Sequence, residues 1–498
     1  MSVLSLVVFL PLLVAVALLA APRVGDAVAR WVFLGTALTE VALVGGLWLG
    51  YRDPGPGRLA FEEQVPWIPG VGSSYHVGVD GLSLPLVAMT VVVFAAVAVY
   101  ALRERDRPRL QAALFLFLES VSLGLFVSAD LLVFFVFFDL SIVGMYFSIA
   151  GWGHGEAARS ALTFFLYTFL GSLALLLGFI GLYVAADPHT FDMVELARTT
   201  PLADSPVAGG LVLAAILLGL AVKTPTVPFH TWLPPAHTDA SAIGSAVLAG
   251  VLLKMGTYGF VRVAMPMLPS AWQAWAPVII VVGVVSVLYG ALVALAQTNL
   301  KRMVAYTSVN HMGYVVLAVG VAGVVAGDTE QARSVAVAGA VTQMVSHALI
   351  TAALFLLAGT MQDRAGSYEM GEYGGLAAVA PRYTGLFAVA AFASLGLPAF
   401  SGFVAELQVF AGAVATVPVT AVALLGILVT AALFLRALQT VFTGTTRGRS
   451  AGFTDVTAAE AWSVAPLLAL SLAIGLLPRP LLDVVEPAAR GLVTLVGR

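Results

Sequence analysis

Two lysines stand deep in apolar sequence between Gly219 and Arg262, in GLAVKTPTVPFHTWLPPAHTDASAIGSAVLAGVLLKMGTYGFVR. A lysine facing lipid costs about 2.5 to 3.5 kcal/mol, so Lys223 and Lys254 need a polar interior. The stretch Lys223-Thr-Pro-Thr-Val-Pro228 interrupts the helix pattern between them. Prolines there free backbone groups that only neighbouring protein or water can satisfy. A broken helix carrying a charge is the material of ion pathways. The other ionisable residues inside apolar runs are Glu40, Glu119, Asp139, His311, His347, Glu406 and Arg436.

Asp139 sits in LLVFFVFFDLSIVGMYF, aromatic on both sides, and its side chain is too short to reach a membrane surface from there. Lys223 reads as a fixed counter-ion for Asp139 or as a proton carrier, and the two roles are compatible. Lys254, in AGVLLKMGTYG, has small neighbours that allow close helix approach. A lysine poised between desolvation and a nearby carboxylate can exchange its proton, which an arginine cannot. His311 (SVNHMGY) and His347 (QMVSHALI) read as core histidines or as a proton relay; a metal pair is disfavoured because no carboxylate or thiol pattern accompanies them. Glu406 follows a second interruption, Leu395-Gly-Leu-Pro-Ala-Phe-Ser-Gly402, and reads as a terminal proton carrier. His230 and His237 are expected at the membrane surface after the first break, on a proton-uptake side or in capping and turn contacts, with Trp232 as an interface anchor. Glu119 is expected to face the bundle near Asp139, Glu40 to lie near a helix end or pair locally, and Arg436 to snorkel. GWGHGE lacks the strand and helix context of a dinucleotide fingerprint.

These residues must be positioned by a membrane-embedded bundle. The chain has 498 residues, 60% hydrophobic and 10% charged, with a mean hydropathy of +0.99, which excludes a soluble protein. Runs of about 17 to 25 apolar residues predict fourteen spans near 2–21, 28–50, 80–102, 109–128, 130–150, 158–186, 208–229, 240–263, 273–296, 302–324, 334–360, 382–412, 417–443 and 461–481. The first lacks a positive n-region and reads as a retained span. The interruptions in the seventh and twelfth spans predict an all-α polytopic fold with two inverted five-helix repeats, each holding a broken helix. The implied units are 1–108, 109–263, 273–443, and 461–498 with its last helix and a short tail. Loops after odd-numbered spans hold the larger share of Lys and Arg, RERDRPR among them, so both termini are expected on the periplasmic or outer side. A net charge of -3 gives no footprint for nucleic acid, and the absence of cysteine removes thiolate-ligated iron–sulfur and zinc sites and disulfides.

Six stretches together resemble the antiporter-like, proton-pumping subunits of NADH-quinone oxidoreductase (respiratory complex I), most closely the M-type. They are YHVGVDGLSLPLV at Tyr75, VKTPTVPFHTWLPPAHTDA at Val222, LAGVLLKMGTYGF at Leu248, QTNLKRMVAYTSVNHMGY at Gln297, MVSHALITAALFLLAG at Met344 and SLGLPAFSGFVAEL at Ser394. The resemblance implies that Asp139 and Lys223 form an interacting acid–lysine pair, that Lys254 is the central relay, that Glu406 is the exit-side carboxylate, and that His311 and His347 line a hydrated axis. It also implies location in the cell inner membrane and association with neighbouring antiporter-like subunits and the lateral helix of the L-type subunit. No cofactor is expected on this chain; NADH, FMN, iron–sulfur clusters and quinone belong to partner subunits. The sequence departs from the family pattern at Asp139 (usually glutamate), Thr163 (usually lysine), Pro235 (usually aspartate) and in DASAIGS from Asp239. Two other classes stay open: the D-type subunit of a multisubunit cation/proton antiporter or a membrane-bound hydrogenase subunit, and a non-pumping structural membrane subunit.

Overall fold

A computed structural model describes residues 3–497. In chain order its helices are α1 (Val3–Ala20), α2 (Asp26–Gly50), α3 (Leu84–Ala101), α4 (Pro108–Val127), α5 (Leu131–Trp152), α6 (Ala157–Ala185), the short α7 (Met193–Thr199), α8 (Pro206–Lys223), the short α9 (Leu233–Asp239), α10 (Ala242–Met267), α11 (Pro269–Ala296), α12 (Leu300–Val321) and α13 (Glu330–Ala365). They continue as α14 (Pro381–Ser394), α15 (Ser401–Thr416), α16 (Pro418–Phe442), α17 (Ala458–Leu476) and α18 (Arg479–Val496). Their starts follow local chemistry: Pro occupies the first turn of α4, α8 and α14, while Asp130 caps α5 and Asn299 caps α12 through side-chain oxygens.

Among the described residues, 13 helices are long and apolar enough to cross a membrane. The expected span 382–412 is not one of them. Leu395 to Phe400 divide it into α14, of 14 residues, and α15, of 16, each short of the about 20 a span needs. The expected span 208–229 likewise ends its helix at Lys223. Two further elements depart from expectation. The loop after α2 folds into an antiparallel hairpin, β1 (Ala60–Ile68) with β2 (Ser73–Val79), and the C-terminal tail is the helix α18, which buries Leu481, Val485, Ala489, Leu492, Val493 and Val496.

The core runs through three helices. The most apolar 18-residue window is 94% buried in α10 and α12 and 100% buried in α13. Peripheral helices instead turn Leu166, Leu170 and Leu177 of α6, Val281 and Leu292 of α11, and Leu428 of α16 outward. Polar side chains gather on the central helices, where protein rather than hydrocarbon surrounds them.

Loops alternate between the two ends of the bundle. At one end β2 bridges to Ser128 after α4, and Asp130 bridges to Asp192 after α6. At the other, Asn299 before α12 bridges to Glu369 after α13.

The hairpin is tied down by His76, which is 2% exposed. Its Nδ1 lies 2.6 Å from Asp192 and its Nε2 2.8 Å from Glu62. Burial lowers the proton affinity of His76, but the two carboxylates outweigh it and the net shift is upward. Asp192 is depressed: burial raises it, and the His76 and Glu195 hydrogen bonds lower it further. A raised histidine contributes its full stability below its unfolded pKa and loses it as pH climbs through the folded value. A depressed aspartate contributes above its unfolded pKa and loses that as pH falls through the folded value. The contact is therefore strongest between about pH 4 and 6.5, the unfolded values of the two groups. Amide exchange in β1 and β2, corrected for intrinsic rates, is expected to be slowest in that window and to quicken above it. His76→Gln should flatten the profile; an unchanged profile in that variant would refute the assignment.

Candidate functional site

The first break is a built structure. Beyond Lys223 the chain leaves helical geometry, and the groups set free find partners: Trp232 Nε1 donates to the Val222 carbonyl at 3.0 Å, and the Val227 amide donates to Ser286 Oγ at 3.0 Å. Gly256 of α10 lets the broken segment approach closely, since a Cβ there would collide with Thr224. The break thereby brings Lys223 up against the helix that carries Lys254.

Lys223 is 1% exposed. Its Nζ donates to Ser141 Oγ of α5 at 2.8 Å and lies 4.8 Å from the centroid of the Phe138 ring. Asp139 interacts electrostatically with the lysine, yet the two form no ion pair within 4.0 Å. Successive helical residues are turned by about 100°, so Asp139 shares its side of α5 with the 37% exposed Val143 rather than with buried Phe138 and Ser141. The Ser172 hydroxyl of α6 interacts with the Asp139 carboxyl.

Lys254 is fully buried and follows a π-helical turn, Leu248–Leu252. Turns of this kind shift the i→i−4 ladder and recur at functional sites. The Lys254 amine reaches Ala249 O at 2.5 Å and His347 Nδ1 of α13 at 2.6 Å. The His347 ring meets His311 of α12 edge-on, with centroids 5.5 Å apart. A cavity of about 10 Å³, room for about one water, is lined by His311, Gln343, Ser346, His347, Ser394 and Glu406, among others. His311 Nε2, Gln343 Oε1, His347 Nε2, Thr351 Oγ1 and Ser394 Oγ have no partner in the chain. Buried polar atoms of this kind are satisfied by water.

Glu406, on α15 after the second break, is 6% exposed. Gly396 in that break has φ +75, and a Cβ there would strike the Glu406 carboxylate. Ser346, Ser401 and Ser471 continue the polar line, with hydroxyl contacts of 2.8 and 2.7 Å linking α13, α15 and α17.

Other expected positions shift. His230, His237 and Trp232 are 4%, 0% and 0% exposed, so none anchors a surface. The loop after the break folds back into the bundle, stacking His237 on Phe355 at 4.4 Å and setting His230 edge-on to Tyr289 at 5.1 Å. Glu119 is fully buried and its electrostatic neighbour is Glu40 of α2, itself fully buried away from any helix end.

Two charged residues escaped sequence reading because both resemble loop cations. Lys301, expected in a loop, is fully buried in the first turn of α12. A cation is unfavourable at a helix N-terminus; here its amine reaches Ala240 O at 2.5 Å, at the C-terminal end of α9. Its neighbour Arg302 is exposed, which gives the pair the look of an ordinary cytoplasmic loop. Arg262 lies inside α10 and pairs with Asp80 at 2.7 Å. Among the described residues, no group of three or more His, Asp or Glu is arranged to hold a metal ion.

Comparison with known proteins matches residues 128–434 to a family described as NADH:quinone oxidoreductase/Mrp antiporter, TM. NAD(P)H-quinone oxidoreductase chain 4 1 of Picosynechococcus sp. is 42% identical over 401 residues, covering 80% of this chain and 72% of the relative. NADH-quinone oxidoreductase subunit M of Rickettsia prowazekii is 35% identical over 441 residues, covering 87% and 86%. Among solved structures, a chain of respiratory complex I from Thermus thermophilus with bound NADH superposes with a TM-score of 0.86 at 30% identity, covering 99% of this chain and 100% of that one. A chain of the Mrp complex from Dietzia sp. DQ12-45-1b shares the fold, with a TM-score of 0.87 at 22% identity and full coverage of both chains.

Proposed function

Because this chain belongs to the NADH:quinone oxidoreductase/Mrp antiporter transmembrane family, we propose that it is a proton-translocating membrane subunit of an NADH-quinone oxidoreductase. The observation that carries this reading is the line of buried polar groups from Lys223 past Lys254 and His347 to His311, the cavity and Glu406. A bilayer interior tolerates such groups chiefly where they serve an ion path.

In this reading electrons pass from NADH through FMN and iron–sulfur clusters to quinone in partner subunits, and this chain carries no redox group. A change in a neighbouring subunit moves charge near Asp139 and alters the hold of Lys223 on its proton. Lys254, His347 and His311 pass the change on, and Glu406 releases on the exit side. Each step needs only a few units of proton affinity, at about 1.4 kcal/mol per unit. His230 and His237 would serve the uptake side. The two broken helices would be the hinges of two inverted repeats, in an inner membrane with both termini outward. The neighbouring antiporter-like subunits and the L-type lateral helix would pack on the outer faces of the bundle.

Lys223→Ala in the assembled complex tests the reading. Proton pumping by membrane vesicles supplied with NADH is expected to fall by at least about 10²-fold, the typical worth of a positioned acid–base group. Pumping at the wild-type rate in an assembled Lys223→Ala complex would falsify it.

A further inference from the structure

We propose that Ser141, with Phe138, is a positioning residue that holds the Lys223 ammonium away from Asp139, so that the lysine alternates between a hydroxyl and a carboxylate. The inference rests on the relay reading above and adds to it the resting place of the first lysine.

Three observations support it. The Ser141 hydroxyl donates to the Phe138 carbonyl at 2.6 Å and accepts from Lys223 Nζ at 2.8 Å. With its own proton committed to the backbone, the hydroxyl presents a lone pair to the lysine and can act only as an acceptor. The ring of Phe138, one helical turn back, lies beneath the same amine and adds a cation–π contact. Asp139, meanwhile, lies round the helix toward Ser172, and its Oδ1 is buried with no hydrogen-bond partner in the chain.

Lys223 therefore has two sites within its reach on one helix, one neutral and one acidic. On the hydroxyl the ammonium donates a single hydrogen bond and meets the face of a ring; on the carboxylate it would gain full charge compensation. Moving the amine from one to the other changes the cost of keeping its proton while the backbone stays fixed. That is what a coupling element requires: two discrete arrangements whose balance a remote charge can bias. A flexible four-carbon stem carries the amine between neighbouring acceptors.

The test uses Ser141→Ala, Ser141→Cys and Lys223→Ala in the intact complex, with NADH oxidation and proton uptake followed in membrane vesicles. Cysteine keeps the shape of serine, with a somewhat larger sulfur in place of the oxygen, but offers only a weak acceptor, and the chain has no other cysteine. Loss of one hydrogen bond to a charged group corresponds to about a tenfold change. Both Ser141 variants should assemble and lose pumping by about that factor, with protons moved per NADH oxidised falling as well. A packing role would leave Ser141→Cys at the wild-type rate, and that result overturns the proposal. Should Ser141→Ala fail to assemble, the cysteine variant decides alone. Lys223→Ala inactive beside a fully active Ser141→Cys sinks only the cradle; Lys223→Ala fully active sinks the relay reading as well.

Discussion

Replacing Lys254 with methionine is expected to abolish coupled proton movement while leaving the fold intact. The lysine is fully buried, and its amine is held by Ala249 O and His347 Nδ1. Methionine matches the length of the stem and fills the same space, so the packing of α10 against α13 survives. Exchanging a buried ion for an apolar group of similar volume is often neutral or stabilising. The chemistry is what disappears: the amine that meets His347 Nδ1, and through it the His311–His347 pair, is the group that would receive and return the proton. Positioned acid–base groups contribute about 10² to 10⁴-fold, and a loss of that size in vesicle acidification is expected. Lys254→Arg should fail nearly as badly, because a guanidinium holds its proton throughout the working range and cannot relay it. A Lys254→Met complex that assembles and pumps at the wild-type rate would remove Lys254 from the path.

Much of this was legible in the sequence, and the reason is the price of charge in hydrocarbon. Lys223, Lys254, Asp139, His311, His347 and Glu406 stood out because apolar runs surround them. The two breaks stood out because Pro and Gly cannot continue a helix without freeing backbone groups. What the sequence could not supply was rotation and depth. Nothing in LLVFFVFFDLSIVGMYF tells which side of α5 meets Lys223, so Asp139 read as its partner while the structure turns Ser141 and Phe138 to that amine. Depth misled at Lys301 and at the WLPPAH stretch: each borders a loop in sequence but is folded under other helices, where Lys301, Trp232 and His237 are fully buried. The hairpin escaped because it lies outside the hydrophobic runs, where membrane periodicity carries no signal.

The largest effect on stability is expected at Glu460, far from the relay in chemistry. This carboxylate is 3% exposed in the first turn of α17. Arg364, in the last turn of α13, donates to both of its oxygens at 2.7 and 2.6 Å. Arg103, just beyond α3, reaches it as well, and the Thr457 amide donates to Oε2 at 2.7 Å in a capping box. One acid thus joins α3, α13 and α17 and also closes the N-terminus of α17 through the capping box. Glu460→Ala would leave Arg103 with Asp363 alone and take from Arg364 the carboxylate it pairs with, and the Arg364 side chain is only 13% exposed, so water cannot repair the loss. Breaking a buried pair from one side costs about 3 to 5 kcal/mol, which should appear as a lower unfolding temperature of the solubilised complex. Glu460→Gln keeps the capping geometry and should fall between the two. None of these groups touches Lys254, His347 or Glu406, so protons pumped per NADH in the surviving assembled fraction should be unchanged. Glu460→Ala melting with the wild type would mean that Asp363 and water, rather than the Glu460 carboxylate, balance the two arginines.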